Sequence, residues 1–304
     1  MEDSRFSRFA WAVLIYNLAV VLWGAYVRAT GSGAGCGRHW PLCNGEVVPR
    51  SPRVETLIEF THRITSGLAL VLVIILVVWA WKRRNQNHLA WQGAKWAMIF
   101  MITESLVGAS LVLFELVAYN PSMLRAAVMA VHLLNTFLLL ASIALTAWWA
   151  SGYPAPRLLW RSPMTWLFLL GLVGIALIGI TGAITALGDT LFPSESLRAG
   201  LEADISPTAH FLIRLRVIHP LLAILIGGYL VALMRWFLSS SYRFAPALLP
   251  YALIGLVSIQ LLAGFINVLL LAPVTMQLVH LFLADILWLT GVLAFVSLRP
   301  QPAD

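Results

Sequence analysis

Long apolar stretches, separated by short polar segments, run through the whole chain. A helix needs roughly 20 apolar residues to cross the hydrocarbon core of a bilayer, and each stretch reaches that length. The pattern therefore predicts an all-α membrane protein with eight transmembrane helices. The predicted spans are 9–29, 56–81, 94–117, 125–150, 163–186, 210–234, 247–270 and 275–297.

Composition agrees with this pattern. Of the 304 residues, 60% are hydrophobic and only 11% are charged, which is more apolar surface than a soluble core absorbs. The first apolar run is too long for a signal-peptide core and lacks a clear cleavage site, so we expect it to remain as the first helix. The net charge of +7 arises from basic residues between the apolar runs. We interpret these residues as topology signals and anion contacts, and expect no nucleic-acid partner.

The two halves of the chain resemble each other at nearly constant offsets. The offset falls once, between the third and fourth spans, where the first half has a longer loop. This pattern predicts a duplication that gives two tandem four-helix bundles of the same orientation, residues 1–155 and 156–304. The matched positions are Gly24 with Gly182, His62 with His219, Gly108 with Gly264, and His132 with His280.

The distribution of positive charge predicts the topology. An even number of spans puts both termini on one side, and the loops on that side carry basic residues without acids. By the positive-inside rule this side is the cytoplasm, although the opposite side also carries several arginines. The basic residues on the predicted cytoplasmic side are Arg5, Arg8, Lys82, Arg83, Arg84, Arg157, Arg161, Arg235, Arg243 and Arg299.

The two cysteines, Cys36 and Cys43, lie in the loop after the first span. Six residues separate them and no second ligand pair accompanies them, so the spacing favours a disulfide over a zinc site. A disulfide requires an oxidising compartment, which agrees with an outer loop of a cell-membrane protein. Two free thiols are the alternative.

Four histidines fall inside apolar spans: His62, His132, His219 and His280. Each lies about five to nine residues into an even-numbered span, which corresponds to roughly 8–14 Å below the outer surface. Two histidines that face each other across a four-helix bundle can hold a planar iron porphyrin. A single membrane histidine is more often a hydrogen-bonded core residue, but four at repeat-equivalent positions favour two heme sites toward the outer face.

Charged residues near the histidines differ between the halves. Glu59 precedes His62 by three residues and shares its helix face, whereas the equivalent position in the second half is Arg216. One site therefore has a group for proton transfer and the other has a cation. An ion pair between Glu59 and Arg63 is the competing interpretation. We expect outer-end arginines to bind heme propionates, and the best placed are Arg63, Arg125, Arg214 and Arg216.

Two further acids, Glu104 and Asp285, fall within the third and eighth spans. Each fits a proton path or a buried hydrogen-bonded acid, and the sequence does not decide between these roles.

Together, these residues resemble the heme A synthase family, which converts heme O to heme A for cytochrome oxidase. The resemblance rests on the eight spans, the four-plus-four repeat, the E-x-x-H-R motif from Glu59 to Arg63, and the cysteine pair around Trp40 and Pro41. It covers nearly the whole chain. One departure is Pro220, which stands where the first half has Arg63.

The resemblance implies an oxidoreductase that oxidises the methyl group of heme O to a formyl group. His219 and His280 would ligate a heme B cofactor that carries electrons, with Arg216 beside it. His62 and His132, with Arg63, would surround heme O, and Glu59 would be the catalytic acid or base. The implied partners are heme O, membrane lipid, heme O synthase, and a quinone or other electron acceptor. The Cys36–Cys43 loop would lie over the substrate site and support the fold or relay reducing equivalents.

Two other functions fit parts of the pattern. A diheme b-type membrane cytochrome would explain the histidine pairs, but electron transfer across the bilayer would place its hemes at both faces. A transporter of heme or another small molecule would fit eight helices without explaining the paired histidines. Neither accounts for the glutamate that occurs in one half only.

Overall fold

The computed structural model describes residues 4–156, 162–240 and 242–300. These residues contain eight helical spans that are long and apolar enough to cross a membrane. The spans are α1 (Ser4–Ala29), α2 (Val54–Lys82), α3 (His88–Leu113), α4 (Met123–Ala150), α5 (Pro163–Leu191), a composite sixth span (Phe211–Leu238), α9 (Leu249–Leu269) and α10 (Val274–Ser297).

Shorter elements complete the described part of the chain. A helix that the sequence did not predict, α6 (Leu197–Ile205), follows α5. The sixth span consists of α7 (Phe211–Arg214), a 3₁₀ turn (Leu215–Val217) and α8 (Ile218–Leu238). Two-residue strands, β1 (Tyr242–Arg243) and β2 (Arg299–Pro300), pair in antiparallel fashion. Arg157 and Arg161, which contributed to the predicted topology, lie outside the described residues.

The structure confirms the predicted fold class, a multi-pass all-α membrane protein. The third span was wrong at both ends, because it runs over His88–Leu113 rather than 94–117. The Asn87 side chain caps the earlier start by accepting a hydrogen bond from the backbone N–H of Ala90 (3.0 Å). The helix ends before Glu115 and Ala118, whose φ angles of 55° and 51° are left-handed. The fifth span also continues beyond 186 to Leu191.

Each half of the chain forms a closed ring of four spans. In the first half α1 contacts α2, α2 contacts α3, α3 contacts α4, and α4 returns to α1. In the second half α5, α8, α9 and α10 contact one another in the same order. Helices α1 and α4 pack against α5 and α10 between the rings. This arrangement is consistent with two tandem four-helix bundles, while the division at residue 155 stays a prediction.

Aromatic and cationic side chains join the two rings. Trp288 of α10 stacks on Phe137 of α4 with ring centroids 5.2 Å apart, and its indole N–H donates to the Phe137 carbonyl at 2.7 Å. Arg28, at the end of α1, reaches across to α5 and α10. It donates to the carbonyl of Ala186 and the hydroxyl of Thr190 (both 2.8 Å) and to the side-chain oxygen of Gln277 (2.9 Å).

The outward faces of the spans are apolar. On α8, Leu221, Ile224 and Leu225 are 57%, 63% and 69% exposed, which suits lipid rather than water. Small residues instead fill the contact between α3 and α4, where Ala90, Ala94 and Ala97 are fully or almost fully buried. Small residues let membrane helices approach closely. The hydrophobic effect does not drive helices together in lipid, so dispersion contacts and hydrogen bonds hold them instead.

Gly93 provides a direct test of this close packing. A Cβ atom at Gly93 would lie 2.6 Å from the hydroxyl of Thr146 and 3.0 Å from its backbone nitrogen on α4. Gly93→Val should therefore force α3 away from α4 and destabilise the fold by about 1–3 kcal/mol, the usual cost of overpacking. Thermal unfolding in detergent, followed by circular dichroism, measures this effect.

Gly67→Val is the matched control, because nothing lies within 4 Å of a Cβ atom at Gly67 of α2. Its unfolding temperature should stay near that of the unmodified chain. Equal unfolding temperatures for the two variants would contradict the close contact between α3 and α4.

Candidate functional site

The four membrane histidines lie near one end of the bundle, on α2, α4, α8 and α10. Each follows the first residue of its span by only a few residues, from 6 (His280 after Val274) to 9 (His132 after Met123). A rise of 1.5 Å per residue puts the rings about 9–14 Å below the helix starts. The even-numbered spans run in one direction, so the four rings share one level with the loop of Cys36 and Cys43 above them.

His219 and His280 face each other across the second ring of helices. Their ring centroids are 6.2 Å apart and the ring planes are nearly perpendicular, at 88°. Nδ1 of His219 makes a 3.2 Å hydrogen bond with the Thr181 hydroxyl, so Nε2 is the nitrogen left for another ligand. A metal–imidazole bond is about 2 Å long, so the two rings are spaced to ligate one metal ion from opposite sides.

A glycine of the neighbouring helix lies against each of the four rings. A side chain at three of these glycines would collide with the imidazole, so glycine creates the space that the ring occupies. This contact gives a physical reason for the glycines that repeat in the sequence. The distances from an added Cβ to Cε1 of the histidine are 2.9 Å for Gly24 and His62, 3.0 Å for Gly182 and His219, 3.0 Å for Gly264 and His280, and 4.0 Å for Gly108 and His132.

Three of the imidazoles have a buried nitrogen without a hydrogen bond. Among the described residues, no group hydrogen-bonds Nδ1 of His62, His132 or His280. A buried polar atom without a partner costs about 1–3 kcal/mol. Imidazoles with free nitrogens, two of which face each other across one ring of helices, are a donor set that fits a flat metal–porphyrin.

Glu59 is the buried acid of the first half, with 3% of its surface exposed. One carboxylate oxygen accepts a hydrogen bond from the backbone N–H of Cys36 at 2.8 Å. The other oxygen accepts from Nε and Nη2 of Arg63, at 3.1 and 2.5 Å. The ion pair that competed with the catalytic interpretation is therefore present, and Glu59 is held between the disulfide loop and Arg63.

Arg63 ties the same loop to α2. Its Nη1 donates to the carbonyl oxygens of His39 and Leu42, both at 2.5 Å. The loop is closed by a disulfide between Cys36 and Cys43, both of which are buried. The predicted disulfide is thus present. We call Glu59, Arg63 and this disulfide loop the loop clamp.

Arg216 occupies the equivalent position in the second half, but acids surround it. Its Nη1 lies 3.0 Å from Asp189 of α5, and its Nε lies 3.0 Å from Asp204 of α6. The alignment of the two halves predicts Arg216 at the position of Glu59, and the structure agrees with that position. The alignment gave no sign of the two aspartates, because they lie on other helices.

The other predicted outer-end arginines divide into two groups. Arg125 is buried, and its Nη1 donates to the carbonyls of Ala118 (2.6 Å) and Asn120 (3.0 Å) in the loop before α4. Arg214 is exposed. The three predicted arginines that are not exposed all bind protein groups through hydrogen bonds or ion pairs: Arg63, Arg125 and Arg216. Their contacts with heme propionates stay predictions.

The two acids that the sequence left undecided differ in their surroundings. Glu104 of α3 lies beside the first histidine pair, with one carboxylate oxygen 3.4 Å from Nδ1 of His132. Asp285 of α10 is fully buried, and no group among the described residues hydrogen-bonds either of its oxygens. Sequence reasoning therefore missed Glu104 as a neighbour of the site. Glu104 and His132 lie on different helices and are far apart in the sequence, so no motif or spacing connected them.

These features define a class: a multi-pass membrane protein whose two helical rings each carry a histidine pair at the same end. A match to the COX15-CtaA family, described as cytochrome oxidase assembly proteins, covers residues 7–292. The chain therefore belongs to this family.

Individual relatives carry two different names. The chain is 53% identical, over 296 residues, to "Protoheme IX farnesyltransferase" of Thermus thermophilus, a match that covers 97% of the chain and 48% of that relative. It is 43% identical over 97 residues to "Heme A synthase" of Alkalihalophilus pseudofirmus, which covers 32% of the chain and 33% of the relative. A "Heme A synthase" of Bacillus mycoides is 38% identical over 138 residues, covering 44% of the chain and 42% of the relative. The chain thus spans half or less of the length of these relatives.

The loop clamp predicts the effect of removing its cation. Arg63→Gln deletes the donors to His39 and Leu42 and leaves the buried Glu59 carboxylate without its ion-pair partner. We expect the loop of residues 36–46 to open more often and its amides to exchange hydrogen faster. Hydrogen–deuterium exchange with mass spectrometry measures this rate.

Arg53→Gln is the control, because Arg53 is an exposed residue just before the same helix. It should leave the exchange of the loop unchanged. Unchanged exchange in Arg63→Gln as well would show that the loop does not depend on the clamp.

Proposed function

We propose that the chain is a heme A synthase, an oxidoreductase that converts the methyl group of heme O to a formyl group. Membership in a family of cytochrome oxidase assembly proteins and the names of two relatives support this assignment. The observation that carries it is the pair of equivalent histidine sites, of which only the first has Glu59 three residues before its histidine. The two sites have equivalent ligands, and only one of them has the added acid. This difference suits a division in which one site carries electrons and the other performs the reaction.

The second half would bind the cofactor. His219 and His280 would ligate heme B, as their 6.2 Å centroid separation and facing rings suggest. Heme B would supply reversible one-electron chemistry when bound. The protein's part is to hold both imidazoles in place, through Thr181 and the glycines that lie against the rings. Arg216 would lie beside this site, where Asp189 and Asp204 hold its guanidinium group in place.

The first half would bind the substrate, heme O, between His62 and His132. Oxidation of a methyl carbon to a formyl group removes electrons and protons and adds an oxygen atom, so the site needs a proton acceptor. Glu59 lies on the face of α2 that carries His62, one turn nearer the helix start. The Cys36 amide and Arg63 hold its carboxylate in one orientation, which would aim it at the bound substrate. The disulfide loop would cover the site, where it supports the fold or relays reducing equivalents.

The location of the sites follows from the same assignment. Both termini would be cytoplasmic and the histidine end would face the outside of the cell membrane, where a disulfide persists. Electrons leaving heme B would pass to a quinone or another acceptor. Heme O synthase is the partner that pathway order suggests, since it makes the substrate.

The name of the Thermus thermophilus relatives favours a second candidate, transfer of a farnesyl group to heme. The chain covers 48% of those relatives. We assign the named transferase activity to the part that the chain does not cover. Electron transfer alone, by a diheme b-type cytochrome, is the third candidate.

Product analysis separates these functions. The purified chain is incubated with heme O plus a quinone as electron acceptor in aerated buffer and, separately, with heme B plus farnesyl diphosphate. The extracted hemes are then identified by chromatography and mass spectrometry. Heme A formed from heme O supports the synthase. Heme O formed from heme B would identify a transferase, and unchanged hemes in both reactions would leave only electron transfer.

The division between the halves predicts which histidines retain the cofactor. His219→Ala and His280→Ala should each remove the low-spin heme B spectrum, because one axial ligand is lost. His62→Ala is the matched variant in the first half and should largely retain it. Absorption spectra of the three purified proteins test this, and equal loss of heme B in all of them would refute the division.

The proposed role of Glu59 predicts a loss of turnover without a loss of fold. Glu59→Gln keeps the shape of the side chain and an oxygen that can accept from Cys36, but it removes the proton acceptor. Groups of this kind contribute about 10²–10⁴-fold, so heme A formation should fall by that factor while heme B and heme O still bind. Wild-type rates would contradict the catalytic role. Loss of heme B or faster exchange of the 36–46 loop would assign Glu59 to the clamp alone.

A further inference from the structure

A set of polar side chains surrounds Glu104 on α3 and α4, next to the first histidine pair. One carboxylate oxygen accepts a hydrogen bond from the Thr136 hydroxyl, and the other accepts from the Asn135 amide, both at 2.5 Å. The Thr103 hydroxyl in turn donates to the Asn135 side-chain oxygen at 2.6 Å. These bonds fix the carboxylate with one oxygen 3.4 Å from Nδ1 of His132.

The second half lacks this set, although it repeats the histidine. The offset of 156 that relates Gly108 to Gly264 aligns Glu104 with Gln260 and Thr103 with Ile259. The offset of 148 that relates His132 to His280 aligns Asn135 with Leu283 and Thr136 with Ala284. Every hydrogen-bonding neighbour of the carboxylate is therefore replaced by an apolar residue, and the carboxylate itself by an amide.

Gln260 also contacts its histidine, although at Nε2 rather than at the Nδ1 that Glu104 approaches on His132. Its side-chain nitrogen lies 3.3 Å from Nε2 of His280 and donates to the His280 carbonyl at 3.1 Å. Both halves thus place a side chain of the same length from the third helix of the ring against the histidine of the fourth. The halves differ in whether that side chain carries a charge.

This difference has a chemical consequence for the imidazole. A buried carboxylate is costly unless other groups hydrogen-bond it, and Thr136 and Asn135 supply those bonds in the first half only. A carboxylate next to the second ring nitrogen of a metal-ligating histidine fixes the tautomer and raises the basicity of the ring. A neutral amide orients the ring without supplying that negative charge.

We propose that Glu104 is a positioning residue that holds His132 with Nε2 toward the substrate and makes it the more strongly donating histidine. Gln260 leaves His280 the weaker donor of the electron-carrying site. The inference rests on the proposed function, in which the first half binds heme O. The asymmetry between Glu104 and Gln260 would then give two sites of one ancestral design different reduction potentials.

The test uses the purified full chain with its heme B, titrated with heme O under anaerobic conditions in which no turnover occurs. Glu104→Gln gives the first site the same neutral amide that Gln260 provides in the second. It should weaken heme O binding about 10–100-fold, the usual effect of losing such a partner. The heme O that binds should have a higher reduction potential, because a less basic ligand stabilises oxidised iron less. The potential of heme B should not move.

Two further variants separate positioning from structural support. Glu104→Asp keeps the carboxylate and should return the heme O potential toward the unmodified value. Gln260→Glu is the reciprocal change and should lower the potential of heme B, the heme next to His280. An unchanged heme O potential in Glu104→Gln, or equal shifts in the potentials of both hemes, would overturn this inference. The proposed function would still stand if the unmodified chain makes heme A. If the unmodified chain binds no heme O, the proposed function and this inference both fail.

Discussion

A bilayer offers no water to hydrogen-bond polar groups, and the rest of this structure depends on that constraint. Backbone groups are satisfied within the helices, which is why the spans are helical throughout the apolar regions. Most polar side chains inside the bundle therefore bind other polar groups of the protein. Glu104, Arg28 and Arg216 bind groups on other helices, and Glu59 binds Arg63 on its own helix and the Cys36 loop. Each of these contacts fixes the position of one helix or loop relative to another. The polar groups that form the site therefore also determine how its helices pack.

The predicted duplication accounts for the placement of the polar sites at one end of the bundle. Because each repeat contains an even number of spans, both histidine pairs lie at the same end of the molecule, unlike sites built on inverted repeats. The glycines that receive the imidazoles are common to both halves. The acids and their hydrogen-bond partners are not, since Glu59 corresponds to Arg216 and Glu104 corresponds to Gln260. The two histidine sites thus share their scaffold residues and differ in the charged and polar groups beside them.

Features that repeat along the chain could be predicted from the sequence. Apolar length located the eight spans, and repeat offsets located the four histidines and the glycines beside them. The end of α3 was wrong because Phe114 and Leu116 continue the apolar pattern after the backbone has turned. The pairing of Arg216 with Asp189 and Asp204, and of Glu104 with His132, could not be foreseen. These contacts join residues from different helices, and no periodicity relates such residues in the sequence.

Arg28 carries a consequence for how the two repeats can evolve. Arg28 belongs to the first repeat, and its guanidinium group donates hydrogen bonds to Ala186, Thr190 and Gln277 of the second. A duplicated protein is often regarded as two modules that recombination can exchange between relatives. Here an exchanged second half would have to bring the same acceptors, or the first half would keep an arginine without partners near the lipid. The contacts of Arg28 therefore make the two halves interdependent, even though their sequences resemble each other.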